Sequence, residues 1–350
     1  MPLSLSDLFP NKGISLSDIG FFFGAGASKE AGYPLTDGLT KNVIKRLDSN
    51  EYETLMRLFG KEGISYSVDT GSPDIELISD LIYKYKLSQG SDQIDELERT
   101  IRTGIVKELI NVKDPNLEYH VRFLKALKKL MSGRAESVWI FTTNYDLLFE
   151  LSAMRAEIPV FNGFEGILGR YFDIERINLC HGTITSDKKF VDYREPNVKL
   201  IKLHGSISWF KNGGNVYELC DHKSPDESRS MILPRKQKVI DTLEHPYDKL
   251  FRYAVQTLGD KCKYILSCGY SFRDQHINEQ LIIPKLREGR IKFMALCEYK
   301  PENFDTLKQY RSFNYMTKDN YYRDGVEIDE KSDLWKFSNF VKLLSDEAGL

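Results

Sequence analysis

The stretch FFFGAGASKEAGYP, residues 21–34, passes from three aromatic side chains to a run of very small ones. The apolar run Ile19–Phe23 predicts a short buried strand, because a continuous hydrophobic segment bounded by a glycine is typical of a covered strand. Residues 24–28 are all glycine, alanine or serine, so a ligand could approach their backbone closely. We therefore expect a strand that ends in a glycine turn at the carboxyl edge of a parallel sheet, where open α/β folds bind ligands.

The glycine turn is predicted to hold phosphate groups through the backbone at Gly24, Ala25 and Gly26, with Ser28 beside them, because a helix start favours negative charge. The turn does not match the dinucleotide fingerprint, since Lys29 stands where a third glycine is required. It is not a P-loop either, because no Gly-Lys-Ser or Gly-Lys-Thr follows. Taken alone, the stretch is equally consistent with a tight strand-to-helix turn that binds nothing.

The bulk composition indicates an ordinary soluble globular protein. Of the 350 residues, 41% are hydrophobic and 29% are charged, and the net charge of −2 gives no general attraction to nucleic acid or membranes. The longest apolar runs fall far short of the roughly 18 residues that a membrane-spanning helix needs. The amino-terminal segment has no basic region ahead of an apolar one, so we expect no secretory signal and predict a cytoplasmic location.

The cysteines favour the same compartment. There are five, and no two are spaced as Cys-x-x-Cys. We therefore expect neither a disulfide framework nor a four-cysteine zinc site, and we assign no metal ligands. Reduced and mostly buried thiols are the simplest interpretation.

Short apolar runs alternate with segments of helical periodicity further along the chain. Helices separate the predicted strands, which lie at 137–142, 198–203, 264–268 and 291–296. This alternation predicts an α/β fold with a Rossmann-like, mostly parallel sheet and helices on both faces. Helical patterns dominate about residues 48–132, which are predicted to form an inserted helical lobe. The main domain is expected to span residues 1–300, and residues 301–350 to form a helical extension packed on it.

Two stretches are predicted to break regular structure. Residues 212–235 are polar, with a Gly-Gly pair and a Lys-Ser-Pro-Asp-Glu-Ser run, so we expect a loop there. The helix predicted from Ile277 is expected to end at Pro284, because proline removes a backbone donor and disfavours the preceding helical turn.

A polar group follows the second predicted strand, in the stretch FTTNYDLLFE, residues 141–150. At the carboxyl edge of the same sheet, Thr143, Asn144 and Asp146 would reach the crevice beside the glycine turn. An asparagine there can hold a sugar hydroxyl or a water molecule, because its amide both donates and accepts hydrogen bonds. Asp146 taken alone is as well explained as the cap of the following helix.

A third strand ends in a single polar group, His204 in VKLIKLHGSISWF, residues 198–210. A neutral imidazole at such an edge is suited to act as a general base near pH 7. A lone histidine more often has a structural role, and Cys180-His181-Gly182 contains a second histidine-glycine pair. The chemistry alone leaves both His204 and His181 open.

A fourth strand ends in another glycine-serine turn, in ILSCGYSFRDQHINEQL, residues 265–281. Gly269 and Ser271 are suited to ribose and phosphate contacts there. Asp274 and a helix that carries Asn278 follow the turn. His276 lies in polar turn material and is expected to face solvent.

Together the four segments resemble the sirtuin-like superfamily over roughly residues 15–300. The matching residues are Gly24, Ala25, Gly26, Ser28, Gly32 and Pro34 for the GAGxSxxxGxP signature, and Thr142, Thr143, Asn144, Tyr145 and Asp146 for the TQNxD motif. The superfamily's catalytic His-Gly pair is similar to His204-Gly205, which favours His204 over His181. Its later glycine-serine turn is similar to Gly269-Tyr270-Ser271.

The chain departs from the sirtuin deacylases in three respects. It has no Cys-x-x-Cys pairs for their zinc module, Thr143 replaces their glutamine, and the separation between Asn144 and His204 is longer than usual. With these departures, the chain resembles the bacterial branch found in antiphage defence, which includes Thoeris effectors and proteins that pair with HerA-type ATPases or short Argonautes.

The resemblance implies hydrolysis of NAD to ADP-ribose and nicotinamide, with NAD as the substrate and no zinc. It implies that Asn144 and His204 are catalytic. The implied NAD-binding residues are Gly24, Ala25, Gly26, Ser28, Thr143, Asp146, Gly269 and Ser271. It also implies control by assembly into a homo-oligomer or by a partner such as a HerA-type ATPase, whereas membrane and direct nucleic-acid binding are not expected.

Three alternatives follow from the same residues. A sensor that binds NAD or ADP-ribose without turnover would not need Asn144 and His204 as a catalytic pair. A protein-lysine deacylase would be expected to carry the zinc module that this sequence lacks. A nuclease or DNA-binding subunit would be expected to carry a metal-binding carboxylate cluster or a clearly basic face.

Overall fold

The computed structural model describes residues 8, 15–67, 69, 72–219, 229–234 and 244–350. Within these residues the strands are, in chain order, β1 Ile19–Phe23, β2 Ser137–Thr142, β3 Val160–Phe161, β4 Phe164–Glu165, β5 Gly169–Phe172, β6 Gly182–Ile184, β7 Phe190–Asp192, β8 Asn197–Lys202, β9 Gly205–Asn212, β10 Asn215–Leu219, β11 Arg229–Met231, β12 Tyr264–Cys268, β13 Lys292–Leu296, β14 Phe313–Met316, β15 Asn320–Arg323 and β16 Val326–Asp329.

Nine of these strands form one large sheet in the order β16-β15-β14-β13-β12-β1-β2-β8-β3. Neighbouring strands from β14 to β3 are parallel, whereas β15 and β16 add an antiparallel edge. The α/β fold class with a mostly parallel sheet, predicted from the sequence, is confirmed. β1 is the first strand of the chain and lies inside the sheet. β2 and β8 were added on one side of it and β12 to β16 on the other, so the strand order changes direction at β1. Open α/β sheets bind ligands at such a switch point.

The helices of the described residues are Ala25–Ser28, Thr36–Ile44, Ser49–Lys61, Ile75–Gln89, Asp92–Ile110, Glu118–Leu130, Leu148–Ala156, Tyr247–Thr257, Gln275–Ile277, Ile283–Arg287, Phe304–Leu307 and Phe337–Ala348. Short 3₁₀ helices lie at Leu16–Asp18, Lys29–Ala31 and Ile174–Asn178, and a π-helical turn lies at Asn278–Ile282.

The large sheet has a hydrophobic core on each face, and β1 contributes to both. All five residues of β1 are buried, as expected for a strand that is covered on both sides. Phe21 and Phe23 point into one core, which includes residues of the helices Glu118–Leu130 and Phe337–Ala348. Phe22 lies in the opposite core with residues of the helix Tyr247–Thr257. The alternation of a strand's side chains thus places one apolar run in two cores.

A third core holds the three helices that we call the helical lobe, Ser49–Lys61, Ile75–Gln89 and Asp92–Ile110. Each begins at a side-chain cap. Asp48 forms a capping box with Glu51, and Asp74 and Ser91 accept hydrogen bonds from the first turns of the next two helices. The helix Glu118–Leu130 packs instead against the helices Leu148–Ala156 and Phe337–Ala348.

The limits 48–132 for the lobe and the division of the chain at residue 300 stay predictions. The sequence predicted a helical tail, but the tail is not entirely helical. Residues 313–329 form β14, β15 and β16 of the large sheet, and a long helix begins only at Phe337. In β15, two adjacent tyrosines lie between Asn320 and Arg323, which are half-buried, so the apolar signal is weaker than in a central strand.

The loop predicted at 212–235 is wrong where the structure describes it, because β10 and β11 lie there. Gly213 and Gly214 have φ of +56° and +83° and form the two-residue turn between β9 and β10, so the Gly-Gly pair marks a hairpin. β9, β10 and β11 belong to a five-stranded antiparallel sheet in the order β11-β9-β10-β5-β4. Residues 220–228 and 235 lie outside the described residues.

The helix predicted to end at Pro284 continues beyond it. The π-helical turn Asn278–Ile282 precedes Pro284, which occupies the first turn of the helix Ile283–Arg287. Proline is tolerated there because its missing N–H lies at a helix start. Among the described residues, the helices are too short or too polar for any of them to cross a membrane.

Candidate functional site

The four sequence segments meet at one edge of the large sheet. β12, β1, β2 and β8 are consecutive neighbours and run parallel, so their carboxyl ends lie side by side. These ends carry the turn at Gly269, the turn at Gly24, the segment at Asn144 and His204, respectively. The roles predicted for these residues stay predictions, but their convergence follows from the strand order.

Gly24 and Gly26 lie against Gly269 so closely that a side chain would clash. A Cβ atom at Gly24 would lie 2.6 Å from the carbonyl oxygen of Gly269, and one at Gly26 would lie 2.6 Å from its Cα. Gly269 itself has φ +69°, and a Cβ there would lie 2.3 Å from the backbone nitrogen of Ala27. Glycine at these three positions lets two turns pack backbone against backbone.

Backbone hydrogen bonds join the same two turns. The amide of Gly24 donates to the carbonyl of Cys268 at 3.3 Å, and the amide of Gly26 donates to the carbonyl of Gly269 at 3.0 Å. Two of the amides assigned to phosphate contacts are therefore already used, in agreement with the tight-turn interpretation of the stretch. Ala25 and Ser271 are exposed at this edge, and their predicted contacts with NAD stay predictions.

Asn144 links the segment after β2 to the glycine turn. Its Nδ2 donates to the carbonyl of Gly24 and to Oγ of Ser28, both at 2.9 Å. The side chain of Thr142 fixes the start of the segment, accepting from the amide of Asn144 at 3.0 Å and donating to the carbonyl of Phe23 at 3.0 Å. Because both N–H bonds of the Asn144 side chain are used within the protein, its Oδ1 is the atom left for a further partner.

Ser28 passes this hydrogen bonding on to Asp146. The hydroxyl of Ser28, 3% exposed, accepts from Asn144 and donates to Oδ2 of Asp146 at 2.7 Å. Oδ1 of Asp146 accepts from the amide of Leu148 at 3.1 Å, at the start of the following helix. Asp146 therefore contacts the first residue of the helix and joins the polar cluster, but Leu147 and not Asp146 occupies the N-cap position that one interpretation predicted for it. Thr143 contributes its backbone amide, which donates to the carbonyl of Phe23 at 3.3 Å.

Lys202 supports the Asn144 segment from below. It is the last residue of β8 and only 1% exposed. Its Nζ donates to the backbone carbonyl of Asp146, to Oε1 of Glu150 at 2.9 Å and to Oγ of Ser206 at 3.1 Å. Burial raises the pKa of the Glu150 carboxyl, and the ammonium of Lys202 opposes that shift.

His204 follows two residues later and faces Asp274. Its Nε2 lies 3.0 Å from Oδ2 of Asp274, and the two side chains are 4% and 7% exposed. At about 4.8 Å per strand, β8 and β12 are roughly 14 Å apart in the sheet. The segments that follow them must therefore converge above the ends of β1 and β2 to make this contact.

The segment Met231–Ile232 lies against His204 and contacts the helical lobe through hydrogen bonds. The amide of Ile232 donates to the carbonyl of His204 at 3.0 Å, and the hydroxyl of Tyr145 donates to the carbonyl of Ile232 at 2.5 Å. Arg102 of the lobe donates to the carbonyl of Met231 at 3.4 Å. Burial, with Glu76 and Asp274 nearby, raises the pKa of the Tyr145 phenol well above its usual value.

A family model for the SIR2-like domain matches residues 138–316, just over half of the chain. The chain belongs to this family. The matched part of the SIR2-like domain includes Asn144, His204 and Gly269, whereas β1 and the glycine turn precede it. No curated protein matches the chain in sequence.

Solved structures resemble this SIR2-like chain at low sequence identity. One is a Sir2 homologue mutant in complex with ADP-ribose, with 13% identity and a TM-score of 0.46. The likeness covers 95% of this chain and 93% of that one.

Sequence reasoning did not assign a site role to three residues of this SIR2-like site. Lys202 gave a signal, because a lysine in a central parallel strand needs a buried partner. Asp274 and Tyr145 lay within the quoted segments, but only the fold brings them to His204. His276 is buried, 8% exposed, with its ring 4.5 Å from that of Phe251, so its predicted exposure is wrong.

The other histidine that the sequence left open lies elsewhere. His181 is exposed, and its ring meets the edge of Phe161 in β3 with 5.0 Å between centroids. His204 is the one beside Tyr145 and Asp274. Within the described part of the chain, no three His, Cys, Asp or Glu side chains lie close enough together to hold a metal ion.

Proposed function

We propose that this SIR2-like protein hydrolyses NAD to ADP-ribose and nicotinamide. The observation that carries the proposal is the convergence of His204, Asn144 and the Ser28–Asp146 pair at the switch point of a parallel sheet. A general base, a hydrogen-bond acceptor and a buried carboxylate suffice for this reaction. No second carboxylate is needed as an acid, because the nicotinamide nitrogen already carries positive charge in NAD.

In this proposal each residue has a separate role in the reaction. Oδ1 of Asn144 would accept a hydrogen bond from the attacking water or a ribose hydroxyl, since both of its N–H bonds are engaged. His204 would take the proton that the water or the hydroxyl gives up. Asp146 orients Asn144 through Ser28 and adds negative charge near the cationic transition state.

The NAD-binding residues of the proposal surround this centre. Ala25 and Ser271 are exposed on the two glycine turns, where a dinucleotide would pass along the sheet edge. Gly24, Gly26 and Gly269 keep the two turns together. Gly24 and Gly26 would take part through turn geometry, since their amides already donate to carbonyls.

Nicotinamide release from NAD by the purified protein tests the proposal. We expect release by the wild type and a loss of about 100-fold or more in Asn144→Ala and in His204→Ala. The matched control is His181→Ala, because His181 is an exposed histidine away from this edge. Release that neither site substitution reduces would contradict the assignment, and NAD binding without release would support the sensor alternative.

The deacylase alternative is tested in the same assay. A hydrolase releases nicotinamide with water as the only acceptor, so an acyl-lysine peptide should not be required. Release that depends on such a peptide would favour the deacylase.

The biological role that we propose is depletion of NAD in antiphage defence by a cytoplasmic protein, under control of self-assembly or of a partner such as a HerA-type ATPase. Exposed apolar side chains support an assembly surface, among them Ile184 at 73% and Phe190 at 52% on the β6–β7 hairpin. Measuring nicotinamide release and light scattering over a range of protein concentrations checks this. A strict monomer of constant specific activity would argue against control by self-assembly.

A further inference from the structure

The contact between His204 and Asp274 joins two buried side chains from separate parts of the fold. Nε2 of His204 lies 3.0 Å from Oδ2 of Asp274. His204 directly follows Leu203 at the end of β8, whereas Asp274 lies in the turn after β12. The contact is within ion-pairing distance but does not have hydrogen-bond geometry at Nε2, and a carboxylate so close favours a proton on that nitrogen.

Asp274 is held rigidly for this contact. Its other oxygen, Oδ1, accepts from the amide of Ile277 at 3.2 Å and so caps the helix that begins at Gln275. Asn278 braces the turn, because it accepts from the hydroxyl of Tyr270 at 3.0 Å and donates to the carbonyl of Phe272 at 2.6 Å. Phe272 has φ +60°, a conformation that a buried aromatic residue adopts only when its surroundings impose it.

Other charged and titratable groups approach the same place from several elements. The ring of Tyr145, on the segment after β2, lies 6.4 Å from the ring of His204. Glu76 and Arg102 of the helical lobe and Tyr247 of the helix Tyr247–Thr257 influence the Tyr145 phenol together with Asp274. Among these groups, Asp274 is the one within hydrogen-bond distance of an imidazole nitrogen of His204.

We propose that Asp274 is a positioning residue for His204, and this inference rests on the proposed hydrolysis of NAD. The charge of Asp274 beside Nε2 favours the tautomer with the proton on Nε2, in which Nδ1 is the basic nitrogen. In the reaction, a water O–H bond breaks and its proton goes to Nδ1, while the water oxygen forms a bond to the anomeric carbon. Nicotinamide leaves as a neutral molecule with the electron pair of the broken C–N bond. The carboxylate then faces a charged imidazolium and stabilises it.

Asp274→Asn tests the proposal through the pH dependence of nicotinamide release. The amide keeps the size of the side chain but removes its charge, so the pKa of His204 should fall. We expect kcat to fall about 100-fold or more with KM changed less than about threefold, and the acid limb of the profile to move down by about 1 pH unit. Asp274→Glu should restore part of kcat and the wild-type acid limb. An unchanged profile in Asp274→Asn would overturn the proposal.

Asp74→Asn is the matched control, because Asp74 also caps a helix, with Oδ1 accepting from the amide of Leu77 at 3.0 Å. Both substitutions should lower the midpoint of urea unfolding by similar amounts. Only Asp274→Asn should change kcat and the acid limb. Equal effects of both variants on the pH profile would reduce Asp274 to a helix cap and overturn the proposal.

A titration of His204 by nitrogen-15 NMR separates this inference from the proposed function. The signal is assigned among the six histidines by its absence in His204→Gln. If the wild type released no nicotinamide, the proposed function would fail, but a fall of about 1 unit in the His204 pKa in Asp274→Asn would still support the pairing. A His204 titration that is the same in both proteins would overturn the pairing whatever the activity.

Discussion

At one end of the candidate site, Gly24, Gly26 and Gly269 join two turns through backbone atoms, whereas at the other His204 meets Asp274 and Tyr145 through side chains. We call these the glycine end and the histidine end. The glycine end is built from residues next to two adjacent strands. The histidine end needs segments that follow strands about 14 Å apart, and it also contacts the helical lobe.

The two ends place different requirements on their residues: steric fit at the glycine end, and partners for buried polar groups at the histidine end. At the glycine end no side chain fits at Gly24, Gly26 or Gly269, so these three positions are restricted to glycine. At the histidine end the requirement is a partner for each buried polar group, and partners can come from anywhere in the chain. Substitutions at the glycine end should therefore act by steric clash, and those at the histidine end by leaving a charge unpaired.

The largest effect is expected from Gly269→Ala at the glycine end. Its Cβ would lie 2.3 Å from the backbone nitrogen of Ala27, and the residue has φ +69°. Overpacking against backbone and a left-handed alanine together should lower the free energy of unfolding by about 4 kcal/mol. Urea unfolding followed by circular dichroism measures this.

Gly213→Ala is the matched control for this clash. Gly213 also has positive φ, +56°, but nothing lies within 4 Å of a Cβ built there. Its substitution should cost only about 1 kcal/mol, from the left-handed backbone alone. Similar losses in the two variants would show that close approach does not distinguish the glycine end.

A smaller loss is expected from Lys202→Met, next to the histidine end. The substitution leaves the carboxylate of Glu150, 2.9 Å from Nζ in the wild type, without its buried cation. Breaking one side of a buried ion pair should lower the free energy of unfolding by about 3 kcal/mol. Adding Glu150→Gln should recover part of that loss, since the unpaired charge is then gone.

Lys211→Met controls for the loss of a lysine as such. Lys211 pairs with Glu244 at 2.7 Å, but the two side chains are 42% and 59% exposed. Loss of an exposed pair should cost less than about 1 kcal/mol. If Lys202→Met cost no more than Lys211→Met, pairing of buried charge would not be what holds the histidine end.

The sequence predicted the centre of the fold better than its edges. β1, β2 and β12 have the bounds that their apolar runs predict, because central parallel strands are covered on both faces and carry few polar residues. β10, β15 and β16 were missed, because antiparallel strands near a sheet edge mix polar with apolar residues. β11 and β14 are buried along their whole length, but they are only three and four residues long and polar residues interrupt their apolar runs.

The candidate site divides in the same way. Each motif lies at a strand end, so a parallel sheet alone predicts that the motifs share one edge. The pairing of His204 with Asp274 and the cover of Ile232 over His204 depend on strand order and on loop paths. Motif spacing along the chain carries no information on either, which is why Asp274 was not assigned to the site.

The smallest of the three stability effects concerns His120, which lies in the core behind the glycine end. Its ring packs 5.1 Å from that of Phe149 and 4.5 Å from that of Phe337, and both of these contact Phe23, the last residue of β1. Neither ring nitrogen of His120 has a hydrogen-bond partner among the described residues. Burial therefore lowers the pKa of His120 to about 3.

This lowered pKa makes stability depend on pH with a definite sign. The unfolded chain takes up a proton on His120 near pH 6.5, whereas the folded protein does so only near the lowered value, so stability is present above about pH 6.5 and falls below it. Between pH 7 and pH 5 the loss from this group should be about 2 kcal/mol. His120→Phe should remove that part of the pH dependence, whereas His181→Phe, at an exposed histidine, should leave it unchanged. Urea unfolding of the three proteins at both pH values measures the difference. A loss in His120→Phe as large as in the wild type would mean that the core behind the glycine end accepts the charge, and that packing there is looser than the glycine contacts require.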